Sequence, residues 1–472
     1  MADQTYDTVI RGGTVVSASD QSICDLGIRG GRIVAHGENL GDAETIIDAA
    51  GKYVLPGGID SHVHIDEPEF EGIRLADDFR SGTRSAICGG TTTILSFATQ
   101  EPDRTIRAVV DDYHDKARGN AYTDYGFHII LNDPTPQILG QDLPALVADG
   151  YTSFKVYMTY DELALDDRQM LDVFAACKEH GAFPMVHAEN NSCIHYLMAK
   201  TLANGETDMG AHGRRAPTPV EREATHRAIT LAEIIGTPIL IVHMSAGDAV
   251  EQLKWAQQRK LPIHGETCPQ YLFLSQADLD RPGTEGAKFI CSPPPRSGSD
   301  QQVMWDALSD GTINVFSSDH CPYLYEGAGG KLNAGPNPAF NEVPPGVPGI
   351  ETRLQLLFSE GVMKGRMDLN RFVAVTSTNP ARRYGLYPKK GTLSVGADAD
   401  ITIWDPDRTV TVRHEDLHDG TDYTPYEGME LTGAPVTTLL RGRVMWNDGA
   451  FTEADPGGDF IPRKPLESSP TP

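Results

Sequence analysis

Six residues of this chain carry side chains suited to metal-assisted chemistry: His62, His64, Lys155, His187, His243 and Asp319. His62 and His64 stand one residue apart, directly after the apolar run Tyr53-Val54-Leu55 and the turn-prone Pro56-Gly57-Gly58. In an extended chain, residues i and i+2 share a face, so both imidazoles point to one spot. A bare His-x-His is more often two histidines on one side of a half-buried strand, and its meaning depends on its company. That company is present. Ser153-Phe154-Lys155-Val156-Tyr157-Met158, Pro184-Met185-Val186-His187-Ala188-Glu189, Ile239-Leu240-Ile241-Val242-His243-Met244 and Val315-Phe316-Ser317-Ser318-Asp319-His320 are all apolar runs carrying an ionisable residue toward their ends. Four neutral imidazoles and one carboxylate suit two zinc-like divalent ions. A lysine ammonium among them would repel metal, so the Lys155 amine must lose its proton or be modified. Carbamylation by carbon dioxide would make it an anion with two oxygens, able to bridge two metals.

These residues need elements to position them. Apolar strands fall at 53–59, 91–97, 125–131, 153–158, 183–189, 238–244, 261–267 and 313–319, separated by helical stretches. The clearest helix is Glu221 to Ile235, where Ala224, Ala228, Leu231 and Ile235 recur on one face. Such alternation predicts an α/β fold, a (β/α)8 TIM-like barrel, with a doubly wound open sheet as the alternative. No Gly-x-Gly-x-x-Gly opens the first unit, which counts against the open sheet. In a barrel the C-terminal strand ends share one mouth, where catalytic groups sit.

The two ends of the chain read differently. Thr8-Val9-Ile10 and Thr14-Val15-Val16 flank Gly12-Gly13, and Ile28 and Ile33-Val34 flank Gly30-Gly31, which reads as hairpin chemistry. Leu440-Arg441-Gly442-Arg443-Val444 echoes Ile28-Arg29-Gly30-Gly31-Arg32-Ile33, and strands recur at 400–404 and 409–412. Residues 1–55 and 385–455 therefore read as two parts of one small β-sandwich domain, with 56–384 as the barrel. The Pro-, Gly- and Ser-rich stretch 456–472 reads as an extended tail that runs over the surface or crosses to a neighbouring subunit.

With 40 Lys and Arg against 66 Asp and Glu, the net charge is −26, which argues against a nucleic-acid partner. Seven scattered cysteines without Cys-x-x-Cys spacing fit reduced thiols. The polar start Met1-Ala2-Asp3-Gln4 and the lack of any run near the roughly 18 apolar residues of a membrane span predict a soluble cytoplasmic protein.

The motifs together resemble the cyclic amidohydrolases, most closely their D-hydantoinase/dihydropyrimidinase group. The resemblance rests on the histidine pair, Phe154-Lys155-Val156-Tyr157-Met158, Val186-His187-Ala188-Glu189-Asn190, Val242-His243-Met244-Ser245 and Ser318-Asp319-His320-Cys321-Pro322. It extends to Gly391-Thr392-Leu393-Ser394-Val395-Gly396-Ala397-Asp398-Ala399-Asp400-Ile401 and covers nearly the whole chain. It implies that Lys155 is the carbamylated bridge, that His62, His64 and Asp319 hold the more buried metal, and that His187 and His243 hold the more exposed one. It also implies that Tyr160 steadies the oxyanion and that the Ser292 main chain grips the imide. Pro345 stands where the family usually has an asparagine that offers its carbonyl to the substrate N–H; proline keeps that acceptor. The implied reaction opens hydantoins or dihydropyrimidines to N-carbamoyl amino acids, with Asp319 moving the proton, in a homotetramer.

Several readings compete. A non-catalytic assembly protein on this fold would have lost ligands, whereas all six positions are kept here. Dihydroorotases usually carry His-x-His-x-Arg to bind a carboxylate; Asp66 stands here instead and would repel it. Allantoinase is harder to separate. The loop Asp66-Glu67-Pro68-Glu69-Phe70-Glu71 carries four carboxylates. If Glu67 faces the mouth, aromatic ring substituents are disfavoured; alternatively the loop turns its charges outward. His128, His264 and His320 read as packed or supporting residues, His180 and His226 as helix-surface residues, and Cys291 and Cys321 as small buried thiols.

Overall fold

The computed structural model describes residues 6–102, 104–452 and 455–466. Five strands come first: β1 (Tyr6–Val16), β2 (Gln21–Arg29), β3 (Arg32–Gly37), β4 (Ala43–Asp48) and β5 (Tyr53–Pro56). Eight more follow: β6 (Gly58–Val63), β7 (Thr91–Thr99), β8 (Asp124–Ile130), β9 (Ser153–Tyr157), β10 (Phe183–His187), β11 (Ile239–Ile241), β12 (Ile263–Thr267) and β13 (Val315–Phe316). The last are β14 (Ile401–Thr411), β15 (Glu430–Leu440), β16 (Arg443–Asn447) and β17 (Ala450–Phe451).

Strands β6 to β13 form one parallel sheet in sequential order, with helices between them. Val63 bridges His320 in parallel, and the His64 N–H donates to the His320 carbonyl at 2.7 Å, so the sheet closes on itself as the expected barrel. A buried ion pair staples this closure. Arg353 Nε lies 3.3 Å from Asp60 Oδ2, and its guanidinium donates to the Phe316 carbonyl at 2.7 Å and to Thr91 Oγ1 at 3.0 Å. Ile59, Leu95, Phe97, Met185, Leu240, Val242 and Val315 form an apolar cluster contributed by five of the barrel strands and by Val242, which follows β11. The helix Thr218–Ile235 begins three residues earlier than the apolar spacing indicates, with a proline in its first turn, and buries Ala224, Ala228 and Leu231 as expected.

Both chain ends join one continuous mixed sheet, in which β5 lies between β1 and β14. This revises two expectations. Residues 53–59 are not one barrel strand. Tyr53–Pro56 belongs to the terminal sheet, pairing with β1 in parallel and β14 antiparallel, and the barrel begins at Gly58. Gly57 makes the switch: its N–H donates to the Asp400 carbonyl at 2.9 Å, and a Cβ there would meet Thr92 Oγ1 at 2.2 Å. Both strands are largely buried, so burial runs straight through the pivot. Gly12-Gly13 is not a hairpin turn either. It is an irregularity inside the single strand β1, where the register against β2 shifts between Ile10 and Gly13. Gly30-Gly31 does turn a hairpin, and it packs against its echo: a Cβ on Gly31 would lie 3.0 Å from the Arg441 carbonyl.

The described part of the tail does not leave its own barrel. Tyr125 donates to the Asp459 carbonyl at 3.0 Å, Ile461 to Tyr125 at 2.9 Å, Arg463 to Gly150 at 3.1 Å and Leu466 to Gly181 at 2.8 Å. The tail thus runs beneath the N-terminal ends of β8, β9 and β10. Its Arg463 side chain reaches up to Ser153 Oγ at 2.5 Å and to the Phe127 carbonyl. Residues 467–472 lie outside the described part.

Candidate metal centre and active site

All six candidate ligands lie at the C-terminal mouth of the barrel. Their backbones differ in kind. His62 lies within β6, Lys155 within β9, and His187 ends β10, all in extended chain. His243 and Asp319 lie just past β11 and β13, where φ becomes positive, 37° and 49°. The two strands are therefore much shorter than the apolar runs 238–244 and 313–319. Non-glycine residues in such conformations cost energy and persist where surrounding structure imposes them. Tyr160 is a third case, at φ 68°.

Ligand atoms of His62, His64 and Asp319 fall within 4.8 Å of one another. His62 Nε2 is 3.1 Å and His64 Nε2 3.5 Å from Asp319 Oδ1. The other ring nitrogens are engaged from behind: His62 Nδ1 lies 2.6 Å from Glu266 Oε1, and His64 Nδ1 lies 2.7 Å from Glu67 Oε1. The Nδ1–H groups donate to these carboxylates, which turns Nε2 of both rings toward Asp319, an arrangement that suits a cation between them. His187 is held in the opposite sense, with Nε2 2.8 Å from Glu189 Oε2 and Nδ1 left over. His243 stands beside it, ring centroids 4.4 Å apart, and its buried Nδ1 has no hydrogen-bond partner. The rings thus follow one another around the mouth as His64, His62, His243 and His187, with centroid spacings of 5.5, 5.4 and 4.4 Å.

Lys155 sits against this row. It is 1% exposed, and its Nζ is 2.9 Å from His62 Nε2 and 4.2 Å above the Phe97 ring. Burial pulls the amine down to about 8. Burial, reinforced by Lys155, likewise holds His62 well below the usual histidine range, and burial with His187 does so for His243. For His64 burial acts downward, but the Glu67 carboxylate outweighs it and lifts the ring to about 9. The space between Glu67 and Asp319 thus favours positive charge. The imidazoles of His62 and His243, both held neutral by burial, the orphaned His243 nitrogen and a buried lysine fit metal ions held by these residues.

The other expected site residues converge on the same mouth. The Tyr160 ring lies 5.4 Å from that of His187, and its phenol shares a hydrogen bond with Ser292. Burial pushes that phenol above the usual tyrosine range. Pro345 is half-buried in a loop tied to the one carrying Ser292 by the Gly346 N–H, which donates to the Ile290 carbonyl at 2.9 Å.

Glu67 has a partner that neither expectation named. Its Oε1 holds His64, and its side chain is 24% exposed. Asp66 is likewise partnered, 3.4 Å from Lys116 Nζ. Of the histidines set aside, His128 lies 2.5 Å from Ser153 Oγ and 3.0 Å from the Ser61 carbonyl, His320 Nε2 lies 3.0 Å from Asp77 Oδ2, and His180 is half-buried at the end of the helix Asp167–His180. His264 is buried, and His226 is exposed on its helix. The residues that sequence reasoning passed over are the carboxylates behind the ligands, Glu67, Glu189 and Glu266. Glu189 was readable, because it lies two positions after a candidate ligand on the same strand end. Glu266 was readable only as the residue at the end of the buried seventh strand.

Residues 53–445 match the Amidohydrolase family. The chain is 41% identical to the D-hydantoinase of Rhizobium radiobacter, over 97% of this chain and 99% of that one. It is 43% identical to the D-hydantoinase of Geobacillus stearothermophilus, over 96% of each chain. The crystal structure of dihydropyrimidinase from Brevibacillus agri NCHU1002 superposes with a TM-score of 0.94 at 39% identity, covering 98% of this chain and all of that one. The chain belongs to the amidohydrolase family, in its D-hydantoinase/dihydropyrimidinase group.

Proposed function

We propose that this chain opens the ring of hydantoins or dihydropyrimidines to N-carbamoyl amino acids, using two divalent ions held by His62, His64, Lys155, His187, His243 and Asp319. The observation that carries this reading is the row of four imidazoles around Lys155 and Asp319 at one barrel mouth. The identity with D-hydantoinases along the whole chain supports the substrate class. Zinc is the metal the donor set suits best. Lys155 is N-carboxylated by carbon dioxide, a reading supported by its burial against His62 without a carboxylate ion pair among the described residues. Bound divalent ions lower the pKa of water toward about 7 and polarise a carbonyl.

The protein's own groups do the rest. Asp319 accepts the proton of the attacking water and returns it to the leaving ring nitrogen. The Tyr160 hydroxyl donates to the carbonyl oxygen that becomes the oxyanion as its carbon turns tetrahedral, and its raised pKa keeps the proton on it. The main chains of Ser292 and Pro345 grip the amide edge of the ring, the proline contributing a carbonyl and no donor. Residues 56–384 form the catalytic unit, residues 1–55 and 385–455 the terminal β unit, and the assembly is a cytoplasmic homotetramer. Among the described residues, no helix is long and apolar enough to cross a membrane.

The test is a panel of hydantoin, dihydrouracil, allantoin and dihydroorotate, with each product identified and the metal content of the protein measured. Ring opening of hydantoin or dihydrouracil by protein holding about two ions per chain is the expected result. Preferential opening of allantoin would move the chain to an allantoinase. A metal-free preparation that still opened hydantoin would refute the mechanism.

A further inference from the structure

The long excursion after β13 contributes one buried side chain for which the proposed reaction has no use. Lys331 is 0% exposed, yet no ion pair joins it to a carboxylate among the described residues. Burial pulls its ammonium down to about 7. A buried, uncompensated amine is costly and persists only where its donors are needed.

Its partners are two carbonyls. Nζ donates to Ile290 O at 2.9 Å and to Pro344 O at 3.1 Å. Ile290 stands two residues before Ser292, and Pro344 one before Pro345. The lysine therefore links the two segments whose main chains are assigned to grip the substrate. The loop has particular need of such a link. Pro344 and Pro345 have no N–H, so across Val343-Pro344-Pro345-Gly346 the backbone sends one cross-link to the Ile290 segment, from Gly346 N to Ile290 O. Lys331 supplies donors that the two prolines lack, and it shares the Ile290 carbonyl with Gly346. The lysine is in turn fixed by its own backbone: its N–H donates to Leu324 O at 2.8 Å. Its neighbour Gly330 lies so close to that carbonyl that a Cβ would be 2.4 Å away.

We propose that Lys331 is a positioning residue that sets the spacing between the Ser292 and Pro345 segments, and so the affinity for the cyclic amide without touching it. The proposal rests on the reading that these two segments hold the ring. It is tested with Lys331→Met, which keeps the length and removes the donors, in fully metal-loaded protein. Two measurements separate the proposal from the functional reading. Amide hydrogen exchange over residues 289–293 and 343–347 reports the link itself, whatever the substrate, and faster exchange confined to these segments is expected. Steady-state kinetics report the consequence: KM for hydantoin rises roughly tenfold or more, kcat changes by less than about threefold, and the metal content stays at the wild-type value. Lys331→Gln, which retains a shorter donor, should lie between the two. Unchanged exchange or an unchanged KM in Lys331→Met overturns the proposal, as does a loss of kcat that follows loss of metal. If the methionine variant does not fold, Lys331→Gln decides by the same two measurements. Wild-type protein that opens neither hydantoin nor dihydrouracil would sink the functional reading, while the exchange measurement would still judge the link.

Discussion

Replacing Glu67 by leucine separates two views of the acidic loop. If the carboxylate faced a ring substituent, its removal would favour aromatic substrates and leave unsubstituted rings alone. In the structure Glu67 Oε1 lies 2.7 Å from His64 Nδ1, and the two side chains are 24% and 13% exposed. Glu67→Leu removes a charge-assisted hydrogen bond, worth about 1.5–3 kcal/mol when well buried. Partial exposure screens it, so the lower end of that range applies, about 1.5 kcal/mol, or roughly tenfold in an equilibrium constant. Carboxylates behind metal-binding histidines typically matter by about 10- to 100-fold in metal affinity or activity. The loss should fall on the His64 ligand and therefore on every substrate alike. The assay compares kcat/KM for phenyl-substituted hydantoin and for dihydrouracil across a titration of zinc. Both should fall by about tenfold at limiting metal and recover together in excess metal. A rise for the phenyl substrate alone would refute this account of Glu67.

Asp319→Asn should keep much of the metal and lower kcat by about 10²–10⁴, measured on metal-loaded protein, because an amide cannot take the proton. Lys155→Ala should lose at least one ion per chain by elemental analysis, together with nearly all activity. Arg353→Leu leaves Asp60 buried without its partner and should destabilise the barrel by about 3–5 kcal/mol in denaturant unfolding. Deletion of residues 456–472 should lower the melting temperature and expose Tyr125, Phe127 and Tyr151, read as increased binding of an apolar dye. Light scattering should report the proposed homotetramer for the full chain, and a monomer there would contradict that proposal.

Much of the site was legible because barrels place the ends of successive strands at one mouth, so a list of apolar runs with their last polar residues is already a map. The candidate ligands His62, Lys155 and His187 obey strand periodicity. His243 and Asp319 were legible by motif alone, since their positive φ breaks the period on which the argument depends. The role of Glu67 was not legible, because the direction of a loop side chain is decided by its partner and not by its neighbours in the chain. The Gly57 pivot escaped for a different reason. Burial continues across it, and only the hydrogen bond to Asp400 reveals a change of sheet. The tail escaped because its composition describes a segment that makes no core of its own, while its place is set by unfilled backbone groups at the foot of β8, β9 and β10.

The position of β5 has a further consequence, in the order of assembly. During synthesis, Tyr53–Pro56 can pair at once with β1, but its other edge waits for β14, which emerges only after the entire barrel. Through that interval Val54 and Leu55 sit on an open strand edge, the kind of surface on which nascent chains pair with one another. The same strand feeds directly into β6 and the first two candidate ligands, His62 and His64. A nascent chain stalled before residue 401 would therefore carry a barrel whose first strand hangs from an unfinished sheet, and such chains are the ones expected to require a chaperone.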